Sequence, residues 1–154
     1  MRQRMAFWII VTVLTVPAIG MSIFAWSVVG GVRAEAAVTD ARLRELAWTM
    51  LAYADTYGGF PMSESEVRAF TVPLELRSRD GVGFPHTRAE ATEASAVQSL
   101  DACLTAVEVE WPAVRDVQPI LRSKGKPTLQ GTMPTIGQWL FAMTQRIRAA
   151  QSTG

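Results

Sequence analysis

Cysteine and histidine each occur once in this chain of 154 residues, as Cys103 and His86, and asparagine is absent. One cysteine excludes an intrachain disulfide. A small buried thiol is the simplest reading of Cys103, with a bridge to another molecule as the alternative. A zinc site needs several His or Cys ligands at set spacing, so one chain cannot build it. Without asparagine there is no N-glycosylation acceptor. Acidic residues are missing before Glu35, and no charge of either sign falls within 5–32. The formal charge of +1 hides an uneven distribution: +3 over 1–34, −7 over 35–110 and +5 over 111–154. None of these blocks has the concentrated basic face that nucleic-acid binding requires. Phosphate loops of the Gly-Lys-Ser/Thr type, Gly-x-Ser-x-Gly elbows and His-Glu-x-x-His helices are also absent.

The uncharged run 5–32 is therefore the first positive feature. Its 28 residues would measure roughly 42 Å as a helix, enough to cross a ~30 Å hydrocarbon core with tilt. Trp8 and Trp26 stand 18 residues apart, roughly 27 Å along a helix, which puts one indole near each interface. Pro17, halfway between them, removes one backbone hydrogen bond and predicts a kink. Arg2 and Arg4 lead the run, and the short basic tail favours a cytoplasmic N terminus with the rest of the chain outside. The competing reading is a cleaved leader, for which Ala34-Glu35-Ala36 has the required small-x-small shape. The apolar run is about twice as long as the 7–15 residues of a leader's core, which favours an uncleaved anchor in the cytoplasmic membrane.

From Asp40 the pattern becomes helical and two-faced. Leu43, Leu46, Ala47, Met50, Ala54 and Tyr57 form one apolar stripe for docking a head, with Arg42, Glu45, Thr49 and Asp55 off it. Gly58-Gly59-Phe60-Pro61 predicts the helix exit. Ser63 with Glu66, and Thr87 with Glu90, have capping-box spacing. The segment 71–85 reads as loop, and Val97, Leu100, Leu104 and Val107 as one helix face. Val107-Glu-Val-Glu-Trp111 alternates as a strand does, and Pro112 ends it. The stretches 117–121 and 128–130 suggest a hairpin around the basic tip 122–127. Ile136, Trp139, Leu140, Met143 and Ile147 trace a last amphipathic helix.

The stretch Asp40-Ala-Arg-Leu-Arg-Glu-Leu-Ala-Trp-Thr-Met-Leu-Ala-Tyr-Ala-Asp-Thr-Tyr-Gly-Gly-Phe-Pro61 resembles the end of the long first helix in type IV pilin-like proteins. It is most similar to the type II secretion pseudopilins and related prepilin-type proteins. Leu46, Met50, Tyr53, Gly58, Phe60, Pro61 and Glu64 occupy the positions that carry the likeness. The order of parts agrees as well, with a membrane helix, its amphipathic continuation, a tight exit and a small head. Three departures accompany it. The chain has no Gly-Phe-Thr-Leu-Ile-Glu-like processing site, no glutamate within the apolar run, and no match to the calcium loop of the major pseudopilins.

The expected fold is α+β: a tail and transmembrane helix over 1–34, an amphipathic continuation over 35–60, and a small extracytoplasmic head over 61–154 with a short antiparallel sheet or hairpin. The resemblance implies a non-enzymatic subunit or accessory of a secretion or pilus-like apparatus. Its partners would be the bilayer and other pilin-like subunits, with no cofactor, metal or small-molecule substrate. The alternative is an independent membrane-anchored binding or adaptor domain, and an anchored hydrolase has little support. A Cys103–His86 nucleophilic pair is formally available, but no supporting motif accompanies it. Glu108 and Glu110 read as a solvated strand face, Arg122, Lys124 and Lys126 as a solvated tip, and Trp48 as either packed under the head or part of a partner surface.

Overall fold

The computed structural model describes residues 2–78, 82–93 and 95–152, with side chains described at 21 and, among these residues, from 26 onward. The elements are α1 (Arg2–Tyr57), α2 (Glu64–Ala69), α3 (Arg88–Thr92), α4 (Leu100–Ala106), β1 (Val107–Glu110), β2 (Ile120–Ser123) and α5 (Thr132–Ser152). The chain is thus α+β, with a long first helix, a two-stranded antiparallel sheet and a C-terminal helix. It divides into two compact units, Met1–Glu35 and Ala36–Gly154.

In the first unit the chain is helical throughout the described backbone, and every described side chain of 26–35 is exposed. Trp8 and Pro17 lie outside the described side chains; Trp26 is 83% exposed. No helix among the described residues is long and apolar enough to cross a membrane.

The second unit is built around α1 residues 36–57. The two-faced pattern predicts one buried side, but burial continues round the helix. Leu43, Leu46, Ala47, Trp48, Met50, Leu51 and Ala52 are all fully buried, and so nearly are Glu45 and Thr49. A helix enclosed on every side must carry its own polar groups into the interior, where each needs a partner. Thr49 donates back to the Glu45 carbonyl, and Glu45 pairs with Arg88 at the start of α3. Trp48 Nε1 donates to the Pro73 carbonyl at 3.1 Å, so this indole is packed under the head. Asp40 accepts the Leu129 N–H at 3.0 Å and the Thr132 hydroxyl, fixing the start of α5 to α1.

Around this axis α5 contributes Ile136, Leu140, Met143 and Ile147, the sheet contributes Val107 and Leu121, α2 contributes Val67, and the connections contribute Phe60, Leu76 and Phe84. The sheet pairs Val107 with Ser123, Glu108 with Arg122, Val109 with Leu121 and Glu110 with Ile120. The hairpin expected between 117–121 and 128–130 does not form. β2 takes β1 as its partner instead, and Leu129 is claimed by Asp40. The described residues of 71–85 are loop, with one bridge, Glu75 with Thr87. Val97, 71% exposed, precedes α4 and does not share its buried face.

Candidate functional site

The expected functional parts were the anchor, the docking stripe and the helix exit. Of the stripe, Leu43, Leu46, Met50 and Ala54 lie in the core, whereas Tyr57 is 62% exposed. Tyr57 sits at the last turn of α1. Its ring instead joins a surface aromatic group, 4.6 Å from Tyr53 and 5.9 Å from Phe70 between centroids.

The exit is built from backbone geometry. Gly58 has φ +71 and donates its N–H to the Ala54 carbonyl at 2.9 Å, the left-handed stop that glycine makes at least cost. Gly59 lies against Arg115, where a Cβ would come within 2.7 Å of the arginine Cβ. Phe60, fully buried, donates its N–H to the Arg115 carbonyl at 2.8 Å, and Pro61 is buried beside it. The loop carrying Arg115 therefore closes over the exit.

The same arginine closes a polar cluster on the surface. Its guanidinium binds Glu66 at 2.7 Å and the Tyr53 hydroxyl at 3.1 Å, and Tyr53 donates to Glu66 at 3.0 Å. The capping box expected at Ser63 is not formed: the Ser63 side chain makes no cap bond, and Glu66 reaches back one residue further to the Met62 N–H. That N–H holds the Glu66 carboxyl below the usual carboxylate range, with Arg115 and Tyr53 assisting. The second box, Thr87 with Glu90, is complete.

A third cluster was invisible in the sequence. Asp55, expected off the stripe, has a side chain only 2% exposed. Burial pushes its carboxyl upward. The Ser78 hydroxyl, Arg146 and the N–H groups of Arg77 and Ser78 outweigh that and hold it below the ordinary value. Arg146 lies at 2.8 Å and the Arg77 N–H at 2.6 Å. Two clefts border this aspartate: one of about 260 Å³ against α5, and one of about 290 Å³ lined by Tyr57, Phe70, Thr71 and Arg77.

The remaining candidates do not converge. Cys103 is fully buried, and burial, then the nearby Glu45 charge, push its thiol up to about 12. Such a thiol is a poor nucleophile. The His86 ring lies 5.6 Å from that of Phe84, tilted by 54°, and its Nδ1 takes no hydrogen-bond partner among the described residues. Glu108 and Glu110 stand on the exposed strand face, Arg122 approaches Glu110 at 3.7 Å, and Lys124 folds back onto the Leu104 carbonyl at 2.9 Å. Among the described residues no three His, Cys, Asp or Glu side chains group as metal ligands. No family model, curated protein or solved structure matches the chain.

Proposed function

We propose that this chain is a non-enzymatic, pilin-like membrane protein, a subunit or accessory of a secretion or pilus-like apparatus. In this reading 5–32 spans the cytoplasmic membrane with the N terminus inside, and the unit beginning at Ala36 is the extracytoplasmic head. One observation carries it. Trp26, Val28, Val29 and Val32 stand on a helix with 83%, 48%, 49% and 49% of their surfaces exposed, continuing a run with no charged residue. An apolar helix left uncovered by its own chain calls for lipid or a neighbouring helix. The resemblance over 40–61 and the tight exit support the pilin-like form of that reading.

The second reading is an anchored adaptor that stands alone. The lack of a processing motif and of any acid before Glu35 favours it, since both features belong to filament subunits of the resembled group.

The test uses the full chain in native membranes. Resistance to alkaline extraction and an intact mass retaining residue 1 onward are expected. A Val29→Cys variant treated with a mild oxidant is expected to form disulfide-linked dimers within the membrane, one reactive thiol per chain capping the product at two; buried Cys103 contributes no background. Release by alkali sinks the anchor. A retained chain without cross-linked dimers leaves the adaptor.

A further inference from the structure

The two-stranded sheet has two unpaired edges whose chemistry is complementary. Lys124 donates its N–H to the Ala106 carbonyl at 3.0 Å, which sets the phase of the ladder. In an antiparallel pair the main-chain groups of alternate residues face the partner strand. Ile120 and Arg122 therefore face β1, while the carbonyls of Pro119 and Leu121 and the N–H groups of Leu121 and Ser123 face away. On β1 the outward groups are the Val107 and Val109 carbonyls and the Val109 and Trp111 N–H groups. None of these eight takes a hydrogen-bond partner among the described residues.

Unpaired edges are open to pairing with another strand, and charged or bulged edges usually suppress this. Here the nearest lysine is withdrawn, since Lys124 binds the Leu104 carbonyl. Beside β2, between it and α5, lies a groove of about 200 Å³ lined by Leu121, Met133, Ile136, Gly137 and Leu140. Gln118 also lines it, and its Oε1 is buried without a partner. The groove is where inward-facing side chains of a third strand would lie.

We propose that the outer edge of β2 binds β1 of a second copy of this chain, so that the sheet continues from molecule to molecule. The phase of both edges fixes the register up to shifts of two residues, and charge complementarity on the exposed face selects among them. Leu121 falls opposite the second copy's Val109, and Arg122 opposite its Glu108, the same pairing that the chain uses internally. On the exposed face Arg122 is held only loosely, 3.7 Å from Glu110, and Glu108 makes no ion pair among the described residues. Each copy thus offers an unspent acid on one edge and an underused base on the other. On the buried face the second copy's Val109 enters the groove beside Leu121. Pairing β2 with a second β2 would instead bring two Arg122 strands together, next to two basic tips. The contact is head-to-tail, so both end molecules keep a free edge and the assembly extends. This inference goes beyond the membrane reading and stands without it, because both strands belong to the second unit.

The experiment uses full-length chain in mild detergent, in a Cys103→Ala background. Analytical ultracentrifugation is expected to show a mass rising with protein concentration. Arg122→Glu, which sets acid opposite acid, weakens association by roughly tenfold, and the added exchange Glu108→Arg restores it. Mixing separately tagged Arg122→Cys and Glu108→Cys chains yields a disulfide joining the two tags. A monomer at every concentration overturns the proposal, as does an Arg122→Cys chain that links to itself as readily as to its mate. If Arg122→Glu does not fold, the mixed-disulfide measurement still decides the matter, because Arg122 and Glu108 also face each other within one chain and the exchange restores both pairs.

Discussion

Asp55 is the residue whose removal tests the architecture most severely. Its carboxylate ties α1 to α5 through Arg146 and to the 71–78 loop through the Ser78 hydroxyl and two backbone N–H groups. Asp55→Ala leaves those donors without an acceptor. The Arg146 side chain is 36% exposed and can regain water, so part of the loss is recovered. The Ser78 groups are part-buried and recover less. Breaking one side of a buried ion pair costs about 3–5 kcal/mol, and the partial exposure of Arg146 places this case near about 3. For a domain of this size that lowers Tm by roughly 10–15 °C. Circular dichroism and tryptophan fluorescence, followed through thermal and urea unfolding of the full chain in detergent, measure it. Asp55→Asn, which keeps the shape and one acceptor, should fall between the two. A double-mutant cycle with Arg146→Met should give a coupling above about 1 kcal/mol. If Asp55→Ala stays within about 0.5 kcal/mol of the wild type, or the two losses simply add, the fastening role is wrong.

The same group fixes a pH dependence. The Asp55 carboxyl titrates lower in the folded than in the unfolded chain, so on acidification the unfolded state takes up the proton first. Its stabilisation is complete above the ordinary carboxylate value of about 4. It is lost as pH falls through the lower folded value. Glu66 and Glu90 are shifted in the same direction. Wild type should therefore lose stability below about pH 4 more steeply than Asp55→Asn.

Three further outcomes follow from the exit and the core. Gly59→Ala sets a Cβ 2.7 Å from that of Arg115, and denaturant titration should register a loss of about 1–3 kcal/mol. Leu46→Asp or Met50→Asp places a charge at a fully buried position and should abolish cooperative unfolding of the head, seen as loss of a thermal transition. Cys103 should resist maleimide at neutral pH in the folded protein and react fully in denaturant; rapid labelling under native conditions would contradict its placement.

How far the sequence could be read depended on the distance between interacting residues. The stop at Gly58, the box at Thr87 and Glu90, the alternation of β1 and the apolar spacing of α5 are all local patterns, and each forms. The enclosure of α1 is not local. Glu45 and Asp55 look solvated by periodicity because their partners, Arg88 and Arg146, lie 43 and 91 positions later. Nothing within a helical turn of Asp40 announces that it will hold the Thr132 hydroxyl at the start of α5, 92 positions on, and take Leu129 away from the expected hairpin. Ser63 shows the same principle in miniature. The spacing suited a capping box, but Arg115, 49 positions from Glu66, drew that carboxylate into a different set of bonds. Polar residues on a helix that is otherwise greasy on one side are therefore ambiguous until the later chain is known. In this molecule they join α1 to the connections and to α5, and the apolar stripe supplies burial while the acids decide which later segment docks where.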